Sequence, residues 1–183
     1  MKKKLLNLLV IAGLTIAVTG CGNKTEAPAK QKSKGNCDVF ECIQKLESDK
    51  SLEEMNDIIG FEGTLQSETD DYKVYNWSLT DDTSITSQFM LKSGNATITA
   101  NYPSSMVPKK ADFSKWDEIK TKLKNKETIS YDEFVKLVGG VQGTMDKKTS
   151  SSITYVWNNS DGGFLSAYFD TKTGNCTMAT GRF

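Results

Sequence analysis

The stretch YNWSLTDDTSITSQFMLKSGNAT, residues 75–97, occurs a second time in altered form as YVWNNSDGGFLSAYFDTKTGNCT, residues 155–177. At this spacing of 80 residues, positions 61–103 align with positions 141–183 without a gap, and 11 of the 43 positions are identical. Ordinary residue usage would give roughly two or three identities by accident. The sequence therefore predicts an internal duplication. The identical pairs are Gly63/Gly143, Thr64/Thr144, Thr69/Thr149, Tyr75/Tyr155, Trp77/Trp157, Asp81/Asp161, Phe89/Phe169, Lys92/Lys172, Gly94/Gly174, Asn95/Asn175 and Thr97/Thr177.

Short runs of alternating apolar and polar residues predict four strands in each copy. They lie near residues 64–68, 72–79, 84–92 and 95–102 in the first copy, and near 144–149, 152–158, 163–170 and 175–182 in the second. Gly94-Asn95 and Gly174-Asn175 are typical hairpin turn residues between the last two strands of each copy. Because no long crossover separates the strands, we expect an antiparallel meander.

Two helices are predicted before each set of strands. In the first copy Asp38 and Ser51 are good N-cap residues, Glu54 stands at the capping-box position and Gly60 is a C-terminal signal. In the second copy Trp116, Ile119 and Leu123 recur at helical spacing and predict the first helix. A second helix is predicted from Ser130 to Gly139-Gly140. The sequence thus predicts an α+β fold, a tandem duplication of a helix-loop-helix with a four-stranded antiparallel sheet. The repeats would span residues 37–103 and 113–183 with a linker at 104–112, and since about 70 residues alone fold marginally, we expect them to share a sheet or an interface.

Alternation sorts the strand residues into two faces. The side predicted to meet the helices carries Ile85, Ser87, Phe89, Leu91, Ala96, Ile98 and Ala100, with Leu165, Ala167, Phe169, Cys176 and Met178. The side predicted to be exposed carries Ser84, Thr86, Gln88, Met90, Thr97 and Thr99, with Phe164, Ser166, Tyr168, Asp170 and Thr177. The repeated pairs Tyr75/Tyr155 and Trp77/Trp157 fit either a core or a binding role, and their repetition favours the core.

Residues 1–20 are typical of a lipoprotein signal peptide. Three lysines at positions 2–4 precede the apolar run 5–18, which suits a signal peptide and is short for a membrane span. The following Val18-Thr19-Gly20-Cys21 resembles the bacterial lipobox, and the resemblance implies cleavage before Cys21 and acylation of Cys21, for example with palmitate. An uncleaved anchor is the alternative. Both interpretations place the remaining chain at the extracytoplasmic face of the cell membrane, held there by its lipid anchor or its apolar segment.

Composition predicts a tether between Cys21 and the repeats, and the two repeats differ in net charge. Residues 22–36 have no apolar period and predict a flexible tether. Residues 37–103 carry 4 basic and 13 acidic side chains, a net charge of −9, whereas residues 113–183 carry 10 and 8, a net charge of +2. The net negative charge of the first repeat argues against nucleic acid as a partner, because the phosphate backbone is also negatively charged. A merely solvated acidic face is the alternative interpretation of these charges.

The layout resembles the β-lactamase inhibitory protein family and related bacterial lipoproteins. The resemblance rests on the element order, the glycine after the second helix and the Tyr-x-Trp strand, and it covers about 145 residues. It implies a concave surface, formed by both sheets, that grips a partner protein. Carried over, that surface includes Gln88, Met90, Phe164 and Tyr168, with Asp81, Asp82 and Asp161 in the loops. The family's surface is rich in Trp, Tyr and His, whereas this chain has no His and a face of mainly Ser, Thr and Gln.

Cysteine use leaves two arrangements open. Beside Cys21, the chain has Cys37, Cys42 and Cys176, an odd number in an exported protein. Cys37 and Cys42 would form a disulfide if Cys37 lies outside the first helix, because the two Cα atoms must lie within about 7 Å. Cys176 then remains a buried thiol. Three reduced cysteines in a reducing niche are the alternative.

The sequence contains few candidate catalytic residues. Without His there is no Cys-His or Ser-His pair and no His-bearing metal site. The carboxylate pairs Glu53-Glu54, Asp70-Asp71 and Asp81-Asp82 are adjacent, so on regular elements their side chains diverge. We therefore do not expect an enzyme or a bound cofactor. We expect a lipoprotein that binds an unidentified protein through its exposed sheet face, and inhibition of that partner is one form such binding can take. An envelope-assembly or signalling lipoprotein, similar to the small outer-membrane assembly lipoproteins, is the alternative.

Overall fold

The computed structural model describes residues 34–183. The predicted signal peptide, Cys21 and the predicted tether up to residue 33 lie outside the described residues. The described chain belongs to one compact unit that includes both copies. We refer to residues 37–103 as the first half and to residues 113–183 as the second half.

Four helices and eight strands follow one another along the described chain. The helices are α1 Val39–Lys45, α2 Leu52–Ile59, α3 Trp116–Lys124 and α4 Tyr131–Leu137. The strands of the first half are β1 Thr64–Glu68, β2 Tyr72–Ser78, β3 Ser84–Met90 and β4 Ala96–Asn101. Those of the second half are β5 Thr144–Lys148, β6 Ser152–Asn158, β7 Phe164–Asp170 and β8 Cys176–Arg182. One 3₁₀ turn, Ser104–Met106, lies in the segment between the halves.

The strands form a single antiparallel sheet in the order β1 to β8, so each strand pairs with its neighbour in the sequence. This confirms the predicted antiparallel meander and the mixed α+β class. The halves join where Ile98 and Thr99 of β4 pair with Lys148 and Lys147 of β5. The helices cover one face of the sheet, in two hydrophobic clusters, one in each half. We call the opposite side the outer face.

The helix ends follow the predicted caps. The Asp38 carboxylate accepts hydrogen bonds from the backbone N–H groups of Phe40 and Glu41. Ser51 and Glu54 form the complete capping box of α2, and hydrogen bonds from Lys50 and from the Ser51 backbone lower the pKa of Glu54 to about 2. These partners satisfy the N–H groups of Phe40 and Glu41 in α1 and those of Ser51 and Glu54 at the start of α2.

Tryptophan and tyrosine of the repeated motif lie on the helix-facing side. Trp77 and Trp157 are fully buried, which confirms their predicted core role. Tyr75 and Tyr155 are half-buried and pack against the same clusters. In each half the tyrosine ring contacts the tryptophan and the phenylalanine of the neighbouring strand, Phe89 or Phe169. The motif therefore forms an aromatic cluster at the centre of each half.

A buried lysine joins the two halves at the junction of β4 and β5. Lys148 is 5% exposed, and its Nζ donates to the carbonyl oxygen of Leu46 at 2.8 Å and to that of Gln44 at 3.4 Å, and lies 3.0 Å from Oε1 of Glu47. These acceptors lie at the C-terminal end of α1, where the helix dipole favours a cation. Because α1 contacts β3, β4 and β5, this helix covers the junction.

Two residues that were predicted to face the helices are exposed instead. Leu91 is 49% exposed because β3 ends at Met90 and Leu91 belongs to the following turn. Met178 is 48% exposed because the register of β8 shifts at Thr177, so that Phe169 pairs with Cys176 while Tyr168 pairs with Met178. An extra residue of this kind reverses the side to which later side chains point. Met178 therefore belongs to the outer face.

Cys37 and Cys42 form a disulfide in the structure, with their Cα atoms 5.4 Å apart. Cys37 precedes α1 and Cys42 lies within it, so the bond ties the chain that enters α1 to the helix itself. Cys176 is a buried free thiol, and burial raises its pKa to about 11. The thiol therefore stays protonated at neutral pH.

Candidate binding groove

On the outer face of the first half, polar side chains satisfy one another. The Asn76 amide donates to Ser84 at 3.1 Å and to Thr86 at 3.1 Å, and the Asn101 amide donates to the same two hydroxyls at 3.2 and 2.8 Å. Ser78 donates to the Asn76 side-chain oxygen at 3.2 Å. This network satisfies the side chains of Asn76, Asn101, Ser84 and Thr86, while the hydroxyls of Thr97 and Thr99 on the same face make no side-chain hydrogen bond within the described chain.

The second half has different residues at the matching positions. Val156 stands where the first half has Asn76, and Phe164 stands where it has Ser84. Ser166 matches Thr86, and within the described chain neither its hydroxyl nor that of Thr154 makes a side-chain hydrogen bond, although these residues are only 8% and 5% exposed. Among residues 34–183 the buried side-chain oxygen without a partner is Ser87 Oγ, so the Ser166 and Thr154 oxygens still reach solvent and are open to a ligand that approaches the outer face.

A groove of about 440 Å³ lies over these residues. The segment between the halves forms one wall, since the Asn158 amide donates to the carbonyl oxygen of Ser104 at 3.2 Å and Ala111 N–H donates to that of Asn158 at 3.0 Å. The lining residues are Tyr102, Ser104, Val107, Asp146, Lys147, Thr154, Val156, Asn158, Phe164, Ser166, Tyr168 and Thr180. Strands β5 to β8 thus contribute the floor of the groove.

The same segment explains why Ser166 is buried, although alternation predicted it on an exposed face. Its strand position is as predicted, but Tyr102, Ser104 and Val107 line the groove above that face, and Val107 is itself 4% exposed. The prediction that the whole outer face is exposed is therefore wrong for the second half. Phe164, at 42% exposed, remains accessible at the rim, and Tyr168 is half-buried.

One carboxylate and one ammonium group line the groove. The Tyr102 hydroxyl donates to Oδ1 of Asp146 at 3.0 Å, and burial together with this carboxylate raises the pKa of Tyr102 well above its usual value. Lys147 follows Asp146 on β5. The remaining polar groups of the lining are hydroxyls and one amide. A partner surface of mixed apolar and neutral polar groups fits this composition.

The groove brings together only part of the predicted binding set. Phe164 and Tyr168 line it, whereas Gln88 and Met90 lie on β3, four strands from β7 and so roughly 19 Å away at about 4.8 Å per strand. The Gln88 amide donates to Met90 Sδ at 3.7 Å.

The predicted loop residues lie away from the groove lining. Asp81 and Asp82 are exposed in the loop between β2 and β3, and Asp161 is exposed in the matching loop between β6 and β7. In that second loop, the side-chain oxygen of Asn159 accepts hydrogen bonds from the backbone N–H groups of Asp161 and Gly163.

Sequence reasoning missed Tyr102, Val107 and Asp146. Their only signal was weak, because Val107 and its neighbour Met106 form a short apolar pair within a predicted linker. A stronger signal was present in the comparison of the two copies, where Phe164 replaces Ser84, Val156 replaces Asn76 and Tyr168 replaces Gln88. The second copy thus has fewer polar side chains than the first at matching positions of the outer face. This difference indicates that the two faces have different roles.

Residues 34–183 contain neither a candidate metal site nor a candidate membrane span. Within this range no three His, Cys, Asp or Glu side chains lie close enough together to hold a metal ion. None of the four helices in this range has the length and apolar character needed to cross a bilayer.

Comparison with known proteins gives no match. No protein-family model, curated protein or solved structure is significantly similar to this chain.

Proposed function

We propose that this chain is an extracytoplasmic lipoprotein, anchored in the cell membrane through Cys21, that binds a partner protein in the groove of the second half. The proposal includes a tandem duplication with the architecture of the β-lactamase inhibitory protein family. The 11 identities between the copies and the element order of each half support that part. The lipobox-like residues before Cys21 support the anchor.

The observation that carries the binding proposal is the divergence of the two outer faces. In the first half Asn76 and Asn101 hydrogen-bond Ser84 and Thr86, whereas the matching region of the second half is a groove in which Ser166 and Thr154 have no side-chain partner beside Phe164. Aromatic side chains that lose water on contact dominate many protein interfaces. Phe164 and Tyr168 are therefore the proposed anchors, and Met178 is an adaptable apolar neighbour on the same face.

The partner is to be identified by photo-cross-linking in intact cells. A photoreactive amino acid at Met178 samples the groove rim, and the same amino acid at Met90 is the control on the first half of the same face. We expect a specific cross-linked protein from position 178 and not from position 90. Equal products from both positions would place the contact outside the groove.

Affinity for the cross-linked protein then tests the anchors. Tyr168→Ala should weaken binding by at least about 1 kcal/mol, roughly fivefold in Kd, without lowering the melting temperature. Gln88→Ala is the matched control, because Gln88 occupies the same position in the first half. Wild-type affinity for Tyr168→Ala in surface plasmon resonance, or an equal loss in Gln88→Ala, contradicts the groove as the interface.

A further inference from the structure

Strand β1 is an open edge of the sheet. All five of its residues are exposed, and on its free side no described strand pairs with it. Leu65 is 46% exposed, although its pairing with Tyr75 places it on the helix-facing side. An exposed edge with an apolar side chain is a template for pairing with another strand.

The strand of the second half that corresponds to β1 is β5, and its edge is covered by another strand. At the spacing of 80 residues, Leu65 matches Met145, Ser67 matches Lys147 and Glu68 matches Lys148. In β5 these residues are covered, because Lys147 and Lys148 pair with β4 and Met145 packs against the hydrophobic cluster of the first half. A strand in the position of β4, with its helix α1 over the junction, therefore fits the edge of a strand in the position of β5.

Strand β8 offers the matching edge. Thr99 pairs with Thr86 in the first half and Thr180 pairs with Ser166 in the second, so Thr180 corresponds to Thr99. Helix α3 contacts β8 as α1 contacts β4. No strand of the described chain pairs with the far side of β8.

Across such a junction the β1 residue has the opposite charge to the β5 residue, so its partner must be a lysine side chain rather than the carbonyl end of a helix. Within the chain, the Lys148 ammonium of β5 meets Glu47 and the end of α1. On β1 the corresponding residue is Glu68. The last turn of α3 carries the exposed Lys124, whereas its Lys122 already lies 3.1 Å from Glu133 in the same chain. Glu68 lies 2.8 Å from Lys73 in an exposed ion pair, which is weak enough to exchange partners.

We propose that copies of this chain associate head to tail, with β8 of one copy pairing with β1 of the next in the register that β4 and β5 use. Thr180 then lies opposite Ser67 of the next copy, and α3 extends over Leu65. The acidic first half of one copy meets the second half of another, whose net charge is +2. Such a contact joins two different surfaces, so it produces rings or chains rather than closed twofold dimers.

Cysteine trapping in the full-length chain tests the register. Under mild oxidation Ser67→Cys combined with Thr180→Cys should give a ladder of disulfide-linked oligomers on a non-reducing gel. Each single variant should give no ladder, because a chain needs both edges. Ser67→Cys with Met178→Cys is the control, two residues away from the expected pairing, and should trap at least tenfold less. Absence of the ladder, or equal trapping by the control pair, overturns the proposal.

Charge reversal tests the electrostatic part with a second readout. Glu68→Lys should reduce the yield of trapped oligomers at least fivefold, and Lys124→Glu in the same chain should restore it. Glu62→Lys, the same charge change outside β1, is the control for net charge. If Glu62→Lys acts like Glu68→Lys, or if the combined reversal fails to restore trapping, α3 does not lie over Glu68 of the next copy.

Discussion

Some identities between the halves fall on residues whose side chains the fold cannot exchange. A Cβ atom at Gly63 would lie 2.5 Å from the indole of Trp77, and one at Gly143 would lie 2.5 Å from that of Trp157. Because real contacts of a Cβ are longer, only glycine lets each indole pack against the backbone at this point. The Trp157 Nε1 group donates to the carbonyl oxygen of Val141 at 2.8 Å, so the buried ring keeps its hydrogen bond.

We expect each of the two buried tryptophans to be required for stability. Trp77→Ala or Trp157→Ala should lower the free energy of unfolding by roughly 3–5 kcal/mol, because truncation leaves a large cavity in the core. Urea unfolding followed by circular dichroism measures the change. Trp116→Ala is the control, since Trp116 is only half-buried and should cost much less. Lost partner binding at an unchanged unfolding midpoint would instead assign these residues to an interface.

Helix α1 and strand β5 show how elements of different halves depend on each other. The matching residues of β1 and β5 diverged from Glu68 to Lys148, and only the lysine reaches the end of a helix in the other half. A single buried side chain therefore couples α1, β4 and β5. Neighbouring Lys147 points to the outer face and lines the groove, so adjacent lysines on one strand have separate roles.

Removal of the Lys148 ammonium group should destabilise the junction. Lys148→Met keeps the apolar stem but leaves the carbonyl oxygen of Leu46 without its cationic donor, which should cost about 1–3 kcal/mol of unfolding free energy. Lys147→Met is the matched control and should change stability by less than about 0.5 kcal/mol. Urea denaturation of both variants measures the difference. Equal stability of the two variants would show that the contact of Lys148 with α1 contributes nothing net.

The two halves and the lipid anchor have different proposed roles. The first half is acidic and closed on its outer face, while the second half carries the groove and the unpaired hydroxyls. The lipid anchor is proposed from residues outside the described range, so it is argued from sequence alone. Two acyl chains hold a protein at a membrane, whereas a single chain binds reversibly.

Lipidation is the prediction that concerns the complete protein. Cys21→Ser should abolish incorporation of labelled palmitate and leave the precursor unprocessed or release the protein from the membrane fraction. Cys176→Ser should leave labelling unchanged, because that thiol is buried in the second half. Mature mass and membrane partition, measured by mass spectrometry and fractionation, distinguish the outcomes. Wild-type mass and partition in Cys21→Ser would refute lipid anchoring.

Local patterns predicted the elements but not all of their surroundings. Alternation, the caps at Asp38 and Ser51 and the hairpin signals at Gly94 and Gly174 depend on neighbours in sequence, so the helices, the strands and the antiparallel order were predictable. The same patterns placed Phe164 and Tyr168 on one face. They could not show that Gln88 and Met90 lie far from those two residues, because this distance depends on the order of all eight strands.

The groove itself depends on contacts between residues far apart in the sequence. Only the tertiary structure places Ser104 against Asn158, shifts the register at Thr177 and brings Lys148 to α1. Each of these features depends on a small balance of packing and hydrogen bonding that no local period records. Local residue patterns determined which strands and helices form, and the packing of the segment between the halves determined where the groove opens.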